Sequence, residues 1–213
     1  MQDARVHAVI PMKRLDLCKL RLAPILDAPR RALLTLWMLD RVADAVRGAP
    51  GLAALTILGG DDPVRRLAER KGLDWHPDTA GDLNRTLDSY YAASGEKDGG
   101  MLFLAGDLPA LRAEDVNGLL HVFDGADLVL APGARGGTNA ILVRSACRFA
   151  FHLGPHSLRR HREHAESLGL RCRTYDSPAL HADIDLPSDL DWLEREQPDL
   201  WEQISSVTAE AQR

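Results

Sequence analysis

Asp107, Asp183 and Asp185 are the carboxylates whose placement points most directly to chemistry. Asp107 follows a short apolar run at residues 101–104, and Asp183 and Asp185 are separated by one residue. In an extended chain, residues two apart place their side chains on the same side. Neighbouring carboxylates repel one another unless a proton or a cation neutralises them, so a divalent metal such as Mg²⁺ is the economical partner. On this reasoning, Asp107→Asn relieves repulsion and stabilises the metal-free protein. The alternative for Asp107 is a cap of the helix expected from about Ala113.

A second set of candidate residues is basic and follows the first predicted strand. Residues 6–10 are β-prone, and Pro11 is expected to end the strand. Four basic residues then fall within nine positions: Lys13, Arg14, Lys19 and Arg21. In parallel α/β sheets, ligands bind beyond the carboxyl ends of the strands, and a polyphosphate can use both lysine and arginine. The alternative is a solvated basic loop without a ligand.

Polar and glycine-rich segments follow other predicted strands. Asn84 lies in the first turn of a helix that begins near Asp82, where its amide could face a nucleobase edge or serve only as a first-turn residue. Gly106 lets a ligand approach the backbone next to Asp107. Residues 132–139 pack three glycines before a β-prone run, which suits an anionic substrate, and a plain hairpin is the competing interpretation.

A basic helix is predicted after residue 157, with Ser157 as its N-cap. His156, His161 and His164 lack the spacing of zinc ligands, so we expect them on the surface or facing a phosphate. Asp61 or Asp62 is expected to cap an earlier helix that runs to about Lys71.

The predicted fold is α/β, with a doubly wound, mostly parallel sheet in a single domain that spans residues 1–213. Residues 101–105 are too few for a helix and do not alternate, which favours a strand buried on both faces. Other strands are expected at 6–10, 55–58, 73–76, 128–131, 140–143 and 170–175, with helices between most of them. A long amphipathic helix covers 27–47, where Trp37 and Met38 belong to the core or to a dimer surface. A final helix is expected from 189 to 205, with about eight frayed residues after it.

Composition excludes several classes of protein. The 213 residues carry a net charge of -5 with mixed signs, so no basic footprint for nucleic acid is present. The three cysteines, Cys18, Cys147 and Cys172, are widely spaced and give no disulfide framework. No signal peptide or membrane span is evident, and we expect a soluble, cytoplasmic protein without a membrane partner.

Together, the motifs resemble the phospholactate guanylyltransferase family of coenzyme F-420 biosynthesis, whose bacterial members act on phosphoenolpyruvate. The resemblance spans nearly the whole chain. It rests on Ile10-Pro-Met-Lys with Lys19-Leu-Arg-Leu, on Gly106-Asp-Leu-Pro-Ala-Leu, on Gly137-Thr-Asn-Ala, on Gly154-Pro-His-Ser with Arg160-His161, and on Asp183-Ile-Asp-Leu-Pro.

This resemblance implies a GT-A-like nucleotidyltransferase fold in which GTP and a phosphorylated three-carbon acid meet above the sheet. It implies that Asp107, Asp183 and Asp185 hold Mg²⁺. The acid would lie against the backbone of Thr138 and Gly154 and the side chain of Ser157. Lys13, Lys19 and Arg21 would hold the triphosphate, Asn84 and Gly106 would contribute to nucleotide binding, and Asp107, Lys19 and Arg21 would be catalytic. A homodimer is an accompanying expectation.

Two departures from the family pattern concern the acid substrate. The segment 133–136 is compact and carries Arg135, where the family has a longer loop with an acidic residue, and His156 replaces the glycine of Gly-Pro-Gly-Ser. The acid therefore stays open among phosphoenolpyruvate, 2-phospholactate and 3-phosphoglycerate. The alternatives in function are a molybdenum-cofactor guanylyltransferase, a sugar-phosphate cytidylyltransferase, and a non-catalytic nucleotide-binding homologue. The first two usually begin with a Leu-Ala-Gly-Gly loop, whereas this chain has Ile-Pro-Met-Lys.

Overall fold

A computed structural model of the protein describes residues 6–94 and 99–210. Seven strands form one sheet in the order β3-β2-β1-β4-β6-β5-β7. The strands are β1 (Val6–Met12), β2 (Leu52–Gly59), β3 (Asp74–His76), β4 (Gly100–Leu104), β5 (Leu128–Pro132), β6 (Thr138–Arg144) and β7 (Cys172–Thr174). The helices are α1 (Ala28–Arg47), α2 (Asp62–Lys71), α3 (Leu83–Ala93), α4 (Ala113–Phe123), α5 (Ser157–Ser167), α6 (Pro178–His181), α7 (Pro187–Glu196) and α8 (Pro198–Glu210).

The central strands are buried on both faces, as their uninterrupted apolar runs predict. In β4, Leu102 and Leu104 pack into the core on one face, whereas Met101 and Phe103 pack into a second core on the other. Successive side chains of a strand point to opposite faces, so covering both faces requires an apolar residue at every position. The predicted α/β fold with a mostly parallel sheet is confirmed.

Strand β6 is the antiparallel member of the sheet. It lies between β4 and β5 and pairs antiparallel with both. The glycine-rich segment 133–137 is therefore the turn of a β5–β6 hairpin, which was the competing interpretation. Gly136 occupies the left-handed region at φ +72°, where glycine is favoured.

The structure changes two predicted boundaries. Pro11 does not end β1, because the ladder to β4 stops at Val9 and Pro11 pairs only with Leu58 of β2, where its missing N–H is tolerated. The last helix is divided into α7 and α8, because the residue before Pro198 is disfavoured in a helix. Of the residues for which fraying is expected, 206–210 belong to α8, and 211–213 lie outside the described part of the chain.

Met38 belongs to a third apolar cluster, in which α1 packs against α7 and α8. The core interpretation of Met38 is therefore confirmed, and Trp37 lies at the edge of this cluster with the Arg41 guanidinium 5.1 Å from its ring centre. Within the described residues, no helix combines the length and apolar character that crossing a membrane requires.

Candidate active site

A cavity of about 390 Å³ opens beyond the carboxyl ends of β1 and β4, where ligands bind in sheets of this class. It brings together seven of the predicted site residues, which come from four separate segments: Lys13, Lys19, Arg21, Gly106, Asp107, Thr138 and Asp185. The other predicted residues are not among its lining residues: Asn84, Gly154, Ser157 and Asp183. The thiol of Cys18 also lines the cavity, and burial raises its pKa to about 11, so it is no thiolate nucleophile at neutral pH.

Lys19 is the cation at the centre of this site. Its ammonium forms an ion pair with Asp107 and lies 3.7 Å from Oδ1 of Asp185, while its side chain is only 7% exposed. Burial works to lower the pKa of Lys19, but the charge and hydrogen bond of Asp107 and the charges of Asp185 and Asp183 outweigh burial and raise the pKa. Lys19 therefore stays charged at neutral pH.

The backbone at Lys19 is strained in a way that is frequent at functional sites. Lys19 and His156 are the two non-glycine residues with positive φ among residues 6–94 and 99–210, at +51° and +57°. Such conformations cost about 1–3 kcal/mol and persist when surrounding contacts enforce them. At Lys19, this conformation separates two short 3₁₀ turns, Leu15–Leu17 and Leu20–Leu22, and turns the ammonium toward Asp107.

The basic loop is fixed to the sheet by Asp61. Its Oδ2 accepts the backbone N–H of Leu15 at 3.1 Å, and the side chains of Leu15 and Leu22, both in the loop, are buried. Asp61 occupies the predicted N-cap position of α2, but its side chain makes no cap hydrogen bond there. The carboxylate is used instead to hold the loop that carries Lys13 and Lys19.

Asp107 is not a helix cap. The N-cap residue of α4 is Arg112, whose backbone N–H donates to the carboxylate of Asp115 at 3.0 Å. The backbone carbonyl of Asp107 accepts the N–H of Ile184 at 3.2 Å, which brings the segment with Asp183 and Asp185 against it. A Cβ at Gly106 would lie 2.8 Å from the sulfur of Met12 and 3.1 Å from Cγ2 of Ile10, so these side chains would have to shift to admit one.

Asp185 and Asp183 have different partners although they are two residues apart. Asp185 accepts a hydrogen bond from Arg21 at 2.9 Å and faces Lys19. Asp183 forms an ion pair with Arg135 of the β5–β6 turn and accepts the amide of Asn139 at 3.0 Å. The expectation that the two carboxylates lie on the same side therefore holds only in part, because the carboxylate of Asp183 is bound to residues of the β5–β6 hairpin.

The residues fit a divalent cation at one point. Asp107 and Asp185 converge on the ammonium of Lys19, so a positive charge already stands where two carboxylates meet. Mg²⁺ in nucleotide sites uses one or two carboxylates together with substrate phosphates. In the part of the chain that the structure describes, three or more acidic, histidine or cysteine ligands are not gathered into one group. Magnesium binding by Asp107, Asp183 and Asp185 stays a prediction, with Asp183 needing release from Arg135.

This arrangement predicts a measurable competition between Arg135 and the metal. If Asp183 is a ligand, Arg135→Gln removes a competing cation and lowers the Mg²⁺ concentration for half-maximal activity by about two- to fivefold, since breaking a partly exposed ion pair changes the free energy by up to about 1 kcal/mol. A titration of activity with Mg²⁺ measures this. In an Asp183→Asn background the same substitution should have no effect. An unchanged Mg²⁺ requirement in Arg135→Gln would remove Asp183 from the ligand set.

Thr138, Ser157 and His161 form a buried network behind the cavity wall. The Ser157 hydroxyl donates to Oγ1 of Thr138 at 3.1 Å, and Nδ1 of His161 lies 3.0 Å from the same oxygen. Ser157 is the first residue of α5 rather than its N-cap, which is His156, so the capping prediction is wrong. His161 is fully buried, which excludes the expected surface position.

The side-chain amide of Asn84 is hydrogen-bonded to the backbone of Leu153. Its amide oxygen accepts the N–H of Leu153 at 2.7 Å, and its amide nitrogen donates to the carbonyl of the same residue at 3.3 Å. Asn84 therefore holds the segment that leads to Gly154, whose φ of +122° is accessible mainly to glycine. Leu153 itself lines the cavity.

His161 predicts a specific dependence of stability on pH. Burial, with the charges of His152, Arg160 and His164, lowers the pKa of His161 from 6.5 to about 3. Between these values the unfolded chain binds a proton that the folded chain does not, so stability falls as the pH drops below about 6.5. His161→Gln should reduce this loss by at most about 1.4 kcal/mol per pH unit, measured by urea unfolding at pH 7 and pH 5. Substituting the exposed His121 is the control, and equal losses in parent and His161→Gln would contradict the prediction.

For two residues of the site, Asn139 and Arg135, no sequence pattern indicated a function. Asn139 is buried at the cavity, where its amide donates to the carbonyl of Leu180 at 2.7 Å and to Asp183. Arg135 joins Asp183 to Asp189, with 3.0 Å between Nη1 of Arg135 and Oδ1 of Asp189. The glycines around both residues marked the segment as unusual, but their partners lie more than 40 residues away in the chain.

Comparison with known sequences finds relatives that are all described as guanylyltransferases. A family model described as "Guanylyl transferase CofC like" matches residues 6–194. Phosphoenolpyruvate guanylyltransferase of Chloroflexus aggregans is 38% identical, covering 84% of this chain and 92% of that protein. The enzyme of the same name from Rubrobacter xylanophilus is 38% identical, covering 89% and 93%. A 3-phospho-D-glycerate guanylyltransferase of Phenylobacterium zucineum is 36% identical, covering 80% and 81%.

Solved structures support the same architecture. A putative nucleotide-diphospho-sugar transferase from Desulfovibrio desulfuricans G20 superposes with a TM-score of 0.77 at 15% identity and covers 99% of both chains. A CMP:2-keto-3-deoxy-manno-octonic acid synthetase complexed with CTP gives a TM-score of 0.62 at 14% identity, covering 92% of this chain and 99% of that one. At these identities, the likeness establishes the fold.

Proposed function

The chain belongs to the guanylyl transferase CofC-like family, and from this premise we propose that it transfers GMP from GTP to the phosphate of a small phosphorylated acid. The leading acid is phosphoenolpyruvate, and the reaction would release pyrophosphate within coenzyme F-420 biosynthesis. One observation carries the proposal: Lys19 lies between Asp107 and Asp185 in a cavity that Thr138 also lines. A cation that could contact a triphosphate thus lies beside two carboxylates that could hold a metal.

The reaction is a displacement at phosphorus. A phosphate oxygen of the acid attacks the α-phosphorus of GTP, and the bond from this phosphorus to the oxygen that bridges it to the β-phosphate breaks. The electron pair leaves with pyrophosphate, and the product is a guanylylated diphosphate. The nucleophile is already ionised at neutral pH, so positioning and neutralisation of charge matter more than a general base.

The basic loop would bind the triphosphate. Lys13, Lys19 and Arg21 line the cavity, and charge-assisted hydrogen bonds to phosphate are stronger than neutral ones. The exposed side chain of Arg21 can exchange Asp185 for a phosphate with little loss of solvation. When bound, Mg²⁺ would be held by Asp107 and Asp185, with Asp183 after its release from Arg135, and would neutralise charge on phosphate oxygens.

Apolar residues in the lining of the cavity support phosphoenolpyruvate as the leading acid. The lining includes Phe103, Ile141 and Leu153, whose apolar surfaces would suit an unsaturated hydrocarbon group better than a hydroxyl. The relative from Phenylobacterium zucineum makes 3-phosphoglycerate the second candidate.

A turnover assay tests the proposal. The protein is incubated with GTP, Mg²⁺ and either phosphoenolpyruvate, 2-phospholactate or 3-phosphoglycerate, and the product is identified by mass. We expect product and pyrophosphate with phosphoenolpyruvate, none in EDTA, and a preference for GTP over ATP and CTP. Nucleotide binding without product from any acid would instead favour a non-catalytic nucleotide-binding homologue.

A further inference from the structure

His161 is a buried titratable side chain that has no role in the proposed reaction as described above. It has no exposed surface and lies on α5, behind the wall of the cavity. Its Nε2 accepts the backbone N–H of His152 at 2.9 Å, and its Nδ1 lies 3.0 Å from Oγ1 of Thr138. A backbone N–H can only donate, so Nε2 carries no proton. The ring is therefore neutral with its proton on Nδ1, and it donates to Thr138.

The hydroxyl of Thr138 is consequently restricted to one role. Its oxygen accepts hydrogen bonds from Nδ1 of His161 and from the hydroxyl of Ser157, at 3.0 and 3.1 Å. A hydroxyl oxygen has two acceptor positions, and both are now used. The position that remains is the hydroxyl's own proton, and Thr138 is one of the residues that line the cavity.

We propose that His161 is a positioning residue, which fixes the hydroxyl of Thr138 as a hydrogen-bond donor to an anionic oxygen of the acid substrate. The inference rests on the proposed function, because the ligand is the acid of that reaction. Carboxylate and phosphate oxygens only accept hydrogen bonds, so a threonine held as a donor matches them. A freely rotating hydroxyl would instead spend part of its time pointing its lone pairs at the anion.

The tautomer of His161 can be determined in the protein without substrates, so this test does not depend on enzymatic activity. Two-bond ¹H–¹⁵N correlation spectra distinguish the two neutral tautomers of histidine and the imidazolium. We expect His161 to remain neutral with its proton on Nδ1 from pH 8 to pH 5, and we expect the same spectrum in the presence of EDTA. A proton on Nε2 would overturn the proposal even if the protein proved to be an active guanylyltransferase.

The kinetic test separates positioning from a purely structural role. Thr138→Val should raise KM for the acid about tenfold or more, the loss expected for a hydrogen bond to a charged group, with KM for GTP unchanged. His161→Gln keeps an acceptor for His152 but lacks the Nδ1 donor, and should raise KM for the acid several-fold. His161→Asn places an amide nitrogen near the Nδ1 position and should restore part of the loss.

The variant that combines His161→Gln with Thr138→Val decides between these two roles. If His161 acts through Thr138, His161→Gln has no further effect on KM in the Thr138→Val background, because coupled residues are not additive. His164→Gln is the matched control, since Nε2 of His164 accepts the N–H of Ala150 at 3.2 Å on the same helix. It should leave KM for the acid unchanged. Additive effects, or an unchanged KM in folded His161→Gln, would reject the proposal, whereas a parent protein without turnover would reject the proposed function.

Discussion

Asp107→Asn should lower the rate of guanylyl transfer by about a hundredfold or more. The substitution keeps the shape of the side chain but removes the charge that faces Lys19 and that would hold the metal. Neutralisation of phosphoryl charge by a metal contributes several kcal/mol to the transition state, and about 2.7 kcal/mol corresponds to a hundredfold. The measurement is the rate of product formation at saturating GTP, acid and Mg²⁺. Normal turnover by a folded Asp107→Asn protein would contradict a mechanism in which Asp107 holds the catalytic metal.

The same variant should be less stable than the parent, by about 1–2 kcal/mol, because Lys19 loses a charged hydrogen-bond partner. Sequence reasoning predicts the opposite sign, since it counts three repelling carboxylates and no buried cation. Asp127→Asn is the matched control: Asp127 pairs with Arg171 at 2.9 Å at the opposite end of the sheet. It should lose stability and keep its turnover. Thermal unfolding in EDTA compares the two.

Lys19→Met should weaken GTP binding by about ten- to a hundredfold, because a charge-assisted contact contributes about 1.5–3 kcal/mol. Methionine fills a similar volume without the ammonium, so the side chain stays packed. In this variant, Asp107 and Asp185 face each other without a neutralising cation. We therefore expect Mg²⁺ to raise the unfolding temperature more in Lys19→Met than in the parent.

Lys71→Met is the control for GTP affinity. Lys71 also bridges two carboxylates, Asp40 and Asp44 at 2.9 and 2.6 Å, but it lies outside the cavity. It should bind GTP as the parent does. Two results would contradict our account of Lys19: unchanged GTP affinity in Lys19→Met, or a Mg²⁺-dependent shift equal to that of the parent.

Local sequence patterns predict most of the fold because the burial of each strand or helix face determines which residue types can occupy it. An uninterrupted apolar run at residues 101–104 meets the needs of a strand covered on both faces, and its end places Asp107 at the carboxyl edge of the sheet. The basic loop follows β1 for the same reason, and it does line the cavity. Helix ends were less predictable, since Ser157 and Asp61 use their side chains for tertiary contacts rather than caps.

By itself, the sequence determined the α/β class, the edge of the sheet that carries the site and the loop that supplies its cations. The tertiary structure decided which charges meet. Lys19 and Asp107 are 88 residues apart, and Arg135 and Asp183 are 48 apart, so each pairing depends on strand order rather than on neighbouring residues. The burial of His161 likewise depends on how α5 packs against the sheet. Side-chain partners at such separations follow from the three-dimensional arrangement, because the energy of each contact exists only once the strands are assembled.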